Sequence, residues 1–329
     1  VISQDVTPWK PDSVSSYRSH RCIHISRITG TGLGVGTRLA VTPGRIKLYN
    51  ILNQCTAVSR LCESNYLCLI DARPKEDYDE SHIITAKRSV KNSKGEFLPP
   101  VSVELECMKY CIVYDGNTVS LEEKGPAFQC AEVLQEASRH PIRILNGGYE
   151  AFSAYYPFLR TQKILYMPQE LEDLHPYPVE ILPSQLYLGT CRQACDRQIQ
   201  KDLKIKAHVN VSEEAVDVLQ GGQVLHIPVS DLFNSDLYPY FKETCNFLGS
   251  HLKSKSAVLV FSSLGISRSS TVIVAFLILH HAHTLQGAWK HVLKCKTNMR
   301  PQRGFVRQLS KWEEHVHGKT ITDISDPHY

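Results

Sequence analysis

Charge of one sign is missing from this chain: 37 Lys and Arg stand against 33 Asp and Glu, a balance of only +4 at pH 7 over 329 residues. So mild a surplus gives no electrostatic argument for nucleic acid or a membrane surface. A long apolar run is missing too, because the longest, Val272 to Leu279, is far below the roughly 20 residues that cross a bilayer. The eleven cysteines are odd in number and scattered. The nearest pairs, Cys107 with Cys111 and Cys191 with Cys195, have three residues between them, which is neither the CxxC of a redox dithiol nor a zinc knuckle. Free, mostly buried thiols in a reducing compartment are therefore expected, with no metal and no cofactor. Gly30, Gly32, Gly34 and Gly36 do not make a nucleotide loop, since Val35 stands where GxGxxG needs glycine and no GKS or GKT follows.

What is present is ordinary globular composition, 42% hydrophobic and 21% charged, in a chain long enough for two domains. The most informative stretch is Ala257 to His281, AVLVFSSLGISRSSTVIVAFLILHH. Ala257 to Phe261 is short and β-branched, which predicts a buried strand, and the run from about Arg268 is long enough for a buried helix. The small-residue loop between them turns backbone N–H groups inward at a helix start, and Gly265 lets it close into an anion cradle. Ser262, Ser263, Leu264, Gly265, Ile266, Ser267, Arg268 and Ser269 are the candidate phosphate-binding residues. Position 262 and Arg268 have the nucleophile-x5-Arg spacing of a cysteine-dependent phosphatase, yet the residue at 262 is serine. A helix-start ion pair is the other role open to Arg268.

Residues 1–42 lack sustained periodicity and carry Arg18, Arg21, Arg27, Arg38 and many serines, with only Asp5 and Asp12 as acids. They read as a disordered leader or as a targeting segment for mitochondrial import. From Arg45 the pattern becomes an amphipathic helix, a strand over Tyr66–Ile70 and the turn Asp71-Ala72-Arg73-Pro74. A strand at Cys111–Tyr114, a helix from Pro126 to about Arg139, a strand at Ile142–Leu145 and a short aromatic helix from Tyr149 to Tyr156 follow. Such alternation predicts a mainly parallel sheet flanked by helices. The segments LCLIDARPKEDYDESHIITA, IVYDGNT and ILNGGYEAFSAYYP, within residues 43–160, resemble the rhodanese-like domain at the N-terminus of MAP kinase phosphatases. The resemblance places Asp115 where an active rhodanese has its cysteine, so a non-catalytic domain is implied. It also implies docking of a partner protein through a basic segment, for which Lys87, Arg88, Lys91 and Lys94 are the match; a solvated basic loop is the alternative. The proline-containing, acidic stretch at 161–177 reads as a linker.

Residues 178–318 open with PVEILPSQLYLG, continue through AHVNVSEE and VLHIPVSD, and close with GFVRQLSKWEEHV before a tail at 319–329. Together with the phosphate loop these segments resemble a dual-specificity phosphatase domain. The fold implied for the whole is α/β, two domains each built on a central mainly parallel sheet, with the loop at a strand's carboxyl end. In that family a thiolate attacks phosphorus and an aspartate protonates the leaving oxygen. The resemblance carries the acid position to Asp231, the nucleophile position to Ser262 and the preceding histidine position to Phe261. An alcohol is a far weaker acid than a thiol and needs an adjacent base, which a phenyl ring at 261 is not. His226 is a candidate base from elsewhere or a structural histidine, and Gly265-Ile266-Ser267-Arg268-Ser269 only partly copies a GxSxG elbow. The expectation is a non-catalytic module that binds phosphoproteins, protein phosphatases or MAP kinases as adaptor or competitor. A slow serine-dependent phosphatase or esterase, and a scaffold with a vestigial loop, are the alternatives.

Overall fold

Short β-branched segments separated by amphipathic helices assemble into two five-stranded sheets. The computed structural model describes residues 40–42, 44–56, 58–101, 103–165, 168–172, 174–218, 222–325 and 329, and these belong to one compact unit. The first sheet contains β1 (Ala40–Thr42), β2 (Leu67–Asp71), β3 (Lys87–Arg88), β4 (Tyr110–Tyr114) and β5 (Arg143–Leu145), in the order β1-β5-β4-β2-β3 and parallel throughout. Helix α1 (Arg45–Leu52), α2 (Pro126–Glu136) and α3 (Gly148–Tyr155) accompany it. The expected leader at 1–42 and its four glycines lie outside the described residues except at Ala40–Thr42. There the expectation is corrected, because these residues pair with Arg143–Leu145 and form the edge of the sheet.

The second sheet holds β6 (Val179–Leu182), β7 (Leu186–Thr190), β8 (Ile205–Asn210), β9 (Gln223–His226) and β10 (Ala257–Ser262), ordered β6-β7-β10-β8-β9. Only the β6–β7 hairpin is antiparallel. All six residues of β10 are buried, as expected of a central strand covered on both faces. Helices α4 (Tyr238–Lys253), α5 (Arg268–His280), α6 (Leu285–Cys295) and α7 (Arg303–His317) complete this half. Helix α5 is buried from Arg268 through Ile278 and is apolar on every side from Val272 to Leu279. Helix α7 buries only one face, Phe305, Val306, Leu309 and Trp312, and Trp312 Nε1 donates to the Ala275 carbonyl at 3.0 Å. Gly318 ends it in the left-handed conformation with φ 75°.

The two halves share one apolar cluster, in which Leu48, Tyr49, Leu52 and Tyr156 meet Tyr187, Leu259 and Phe261. Buried polar bonds cross the same boundary. Asn50 Nδ2 donates to the Glu180 carbonyl at 2.8 Å and its Oδ1 accepts from the Glu180 N–H at 2.7 Å, so one side chain completes edge strand β6 as a neighbouring strand would. Gln54 bridges to Cys295 and Thr297, and Tyr49 Oη donates to the Pro178 carbonyl at 2.8 Å. The segment expected as a linker is folded at both ends: Arg160–Thr161 pairs with His82–Ile83, while the Tyr177 N–H donates to Asn53 and the Pro176 carbonyl accepts from Gln193.

Candidate phosphate-binding site

The carboxyl end of β10 is the centre of the second sheet, with β7 on one side and β8 on the other, the crevice position where α/β sheets place ligands. The chain leaves β10 at Ser262, turns through Ser263–Ser267 and enters α5 at Arg268. Gly265 adopts φ +67°, and a Cβ there would lie 2.4 Å from the Gly189 carbonyl oxygen, so the tight turn requires glycine. Among the described residues, no acceptor takes the N–H of Leu264, Ile266, Ser267 or Arg268. The loop therefore presents a row of free donors at a helix start.

Ser262 is 2% exposed. Its Oγ accepts from the Gly265 N–H at 3.2 Å and lies 3.0 Å from Ser269 Oγ, and no imidazole or carboxylate is among these partners. His226 is not brought to it: its Nε2 bonds the Ser212 carbonyl at 2.9 Å, and its strand is separated from β10 by β8. Phe261 is wholly buried in the shared apolar cluster, with the edge of His208 at 6.3 Å between ring centres.

Arg268 is 7% exposed and reaches across the loop. Nη1 donates to the Val229 carbonyl at 2.8 Å and Nη2 to Ser263 Oγ at 3.1 Å. Its Nε is buried without a hydrogen-bond partner and lies 3.7 Å from Asp231 Oδ2. Asp231 is tethered to the loop a second time, accepting from Ser267 Oγ at 2.7 Å. Of the residues expected at this site, Asp231 meets Arg268 and Ser267, while Ser262 meets Gly265 and Ser269 at the other end of the loop. The structure also adds residues that no spacing signalled: Gln302, whose N–H donates to Ser267 Oγ at 3.3 Å, and Arg300, whose N–H fixes the Ile266 carbonyl at 2.9 Å. They reach the loop only because α7 folds back beside α5. A cleft of about 780 Å³ opens here, lined by Asp231, Ser267, Trp289, Arg300 and Gln302 among others.

The loop at Asp115 is chemically different. The Asp115 carboxylate accepts from the Thr118 N–H, Thr118 Oγ1 and the Ala127 N–H, at 3.0, 2.7 and 3.1 Å. The first amides of α3 donate to the Asp115 and Gly116 carbonyls, Tyr149 at 2.7 Å and Glu150 at 2.9 Å. With its donors turned onto its own carboxylate and carbonyls, this loop offers an anion little. The Asp71-Ala72-Arg73-Pro74 turn has a packing role: buried Asp71 holds Arg73 at 2.7 Å, and Arg73 in turn donates to the Ser81 carbonyl and covers the Tyr149 ring. Of the basic residues expected to dock a partner, Lys87 and Arg88 form exposed strand β3, Lys91 lies over Phe97 at 4.3 Å, and Lys94 sits in the following turn. The ten described cysteines are all free. Among the described residues, no group of three His, Cys, Asp or Glu side chains could hold a metal ion, and no helix is long and apolar enough to cross a membrane.

Residues 186–315 match the family model of the dual specificity phosphatase catalytic domain, and residues 52–155 match that of the rhodanese-like domain. Dual specificity protein phosphatase 2 of Mus musculus is 31% identical over 307 residues, covering 80% of this chain and 95% of that protein. Dual specificity protein phosphatase 16 of Homo sapiens is 25% identical over 276 residues, covering 77% of this chain. The chain spans 41% of the length of the latter, and 60% of dual specificity protein phosphatase 4 of Gallus gallus. Among solved structures, human DUSP28 is 31% identical over 42% of this chain and 97% of its own, with a TM-score of 0.41.

Proposed function

Because this chain belongs to the dual-specificity protein phosphatase family, we propose that it is a pseudophosphatase: it holds phosphorylated proteins or signalling partners without hydrolysing them. One observation carries the reading. The hydroxyl at the nucleophile position is buried between Ser269 Oγ and the Gly265 N–H, and among the described residues no base is hydrogen-bonded to it. The binding half of the chemistry is supported separately by the free loop amides and by the buried Arg268, whose Nε faces Asp231 without a hydrogen bond and suits an anionic oxygen. A bound phosphate would draw Arg268 from Ser263 and replace Asp231 as its counter-charge.

With both domains altered at their nucleophile positions, the chain is similar to the pseudophosphatase MK-STYX. In this reading it acts as adaptor or competitor toward active phosphatases, MAP kinases or their substrates, with the exposed basic strand at Lys87 and Arg88 as the docking element. We place it in the cytoplasm, with mitochondria as the alternative if residues 1–42 direct import. Fluorescent fusions with and without those residues separate the two.

Turnover and binding test the proposal together. Phosphotyrosyl and phosphothreonyl peptides should bind wild type without being hydrolysed, and Arg268→Ala should weaken binding by roughly tenfold or more, as loss of a charge-assisted fork does. Turnover that disappears in Ser262→Ala would establish the slow serine enzyme instead, and equal peptide affinity of wild type and Arg268→Ala would leave the loop vestigial. Phe261→His with Ser262→Cys should gain turnover of an aryl phosphate, because in this reading Asp231 and Arg268 supply the acid and the phosphate clamp. A folded double variant without activity would mean the pocket has lost more than its nucleophile.

A further inference from the structure

We propose that the cleft between the two halves of the molecule binds a small molecule carrying two or more phosphate groups. The cleft holds about 470 Å³, within the range of small-molecule sites, which favour domain junctions. One wall is Tyr155, Tyr156 and Phe158, at the end of α3 and the turn after it. The opposite wall is Lys204 and Lys206 at the start of β8, with Lys255 just before β10.

These three lysines are exposed. Among the described residues, none of their ammonium groups has a carboxylate or other hydrogen-bond partner. The lining has one carboxylate, Asp202, and it is already occupied, accepting from Tyr177 Oη at 2.7 Å and Gln198 Nε2 at 2.9 Å. Arg45 stacks 3.4 Å over the ring of the lining residue Tyr155. Three ammonium groups against one carboxylate leave the lining net positive, which suits a ligand with two phosphate groups and about three to four negative charges. Ser184 and Ser256 supply hydroxyls in the same lining.

The backbone brings three of these residues to the cleft on turns. Ser184, Lys204 and Lys255 all sit in the left-handed region, at φ 55°, 54° and 56°, and all three line this cleft. At Lys204 and Lys255 it is the usual ending of a helix, after Arg197–Asp202 and α4, and at Ser184 it belongs to the β6–β7 turn, so three chain turns converge on the cleft. Among the described residues, none of Ser262–Ser269 lines the cleft, so it is separate from the phosphate loop.

Inorganic pyrophosphate titrated into the full chain by calorimetry tests this. Lys204→Asn with Lys206→Gln and Lys255→Asn removes the charges while keeping residues that tolerate the left-handed turn at 204 and 255. This triple variant should bind pyrophosphate roughly tenfold more weakly or worse, whereas Arg268→Ala should retain the site and still gain thermal stability from the ligand. Unchanged affinity in a folded triple variant would overturn the proposal. So would loss of all pyrophosphate binding in Arg268→Ala, which would assign the ligand to the phosphate loop, or no binding to wild type at millimolar ligand. Tighter binding by an oligoglutamate peptide that displaces pyrophosphate would show a peptide site in its place.

Discussion

Phe261 shows how one substitution can serve packing and chemistry together. Its ring is fully buried in the cluster that joins the two halves, near Tyr187 and Leu259 and edge-on to His208. An imidazole at that position would place two polar nitrogens in an apolar site. Phe261→His alone should therefore lower stability by roughly 1–3 kcal/mol, the usual penalty of a buried unpaired polar group. Urea denaturation measures this, and an unchanged or raised midpoint would show that the site accommodates the ring. Asp231, Ser262 and Arg268 were legible in the sequence because fixed spacing and flanking segments mark them. The packing role of Phe261 was not, since the cluster that buries it draws Tyr49 and Tyr156 from the other half of the chain.

At the scale of elements, β10, its loop and α5 could be read almost to the residue, because a β-branched run, a small-residue turn and a long apolar run each have one stable local form. Helix α1 was equally legible as a helix, but its purpose was not. Asn50 looks like any polar residue of an amphipathic helix, and the partner that gives it meaning, Glu180, is 130 residues away. The lysines of the cleft carry no sequence signal for the same reason: singly, Lys204, Lys206 and Lys255 look like solvated surface. Asn50→Ala would strand a buried N–H and a buried carbonyl on edge strand β6. The expected loss is roughly 2–4 kcal/mol, taking one to three for each group and some relaxation, with hydrogen exchange at Glu180 accelerating most. If the backbone of β6 stayed protected in that variant, the side-chain pairing would not be what secures the edge.

For the molecule as a whole, the shared cluster makes the two halves one cooperative unit, and two buried groups give that unit opposing pH responses. Burial pushes the His208 imidazole down to about 4, with its Nε2 bonded to Gln200 and its Nδ1 unpaired. A histidine so depressed contributes stability above its ordinary pKa of about 6.5 that is lost as pH falls toward 4, up to about 3 kcal/mol. Glu180 behaves oppositely. Burial pushes its carboxyl up, against hydrogen bonds from Tyr156 and Ser184 that favour the charged form. Its contribution is full below the ordinary Glu pKa of about 4.3 and is lost as pH rises through the raised folded value. His208→Gln should therefore flatten the acid side of the stability profile, and Glu180→Gln the neutral-to-alkaline side. Urea midpoints from about pH 4 to about pH 9 test both. Far-UV circular dichroism and the fluorescence of Trp289 and Trp312, in a Trp9→Phe background, should give coincident curves at each pH. The decisive comparison is wild type minus Glu180→Gln, which should become less favourable to wild type as pH rises. A constant or increasing difference would mean that Glu180 is ionised at the interface throughout, held by its tyrosines rather than neutralised by burial.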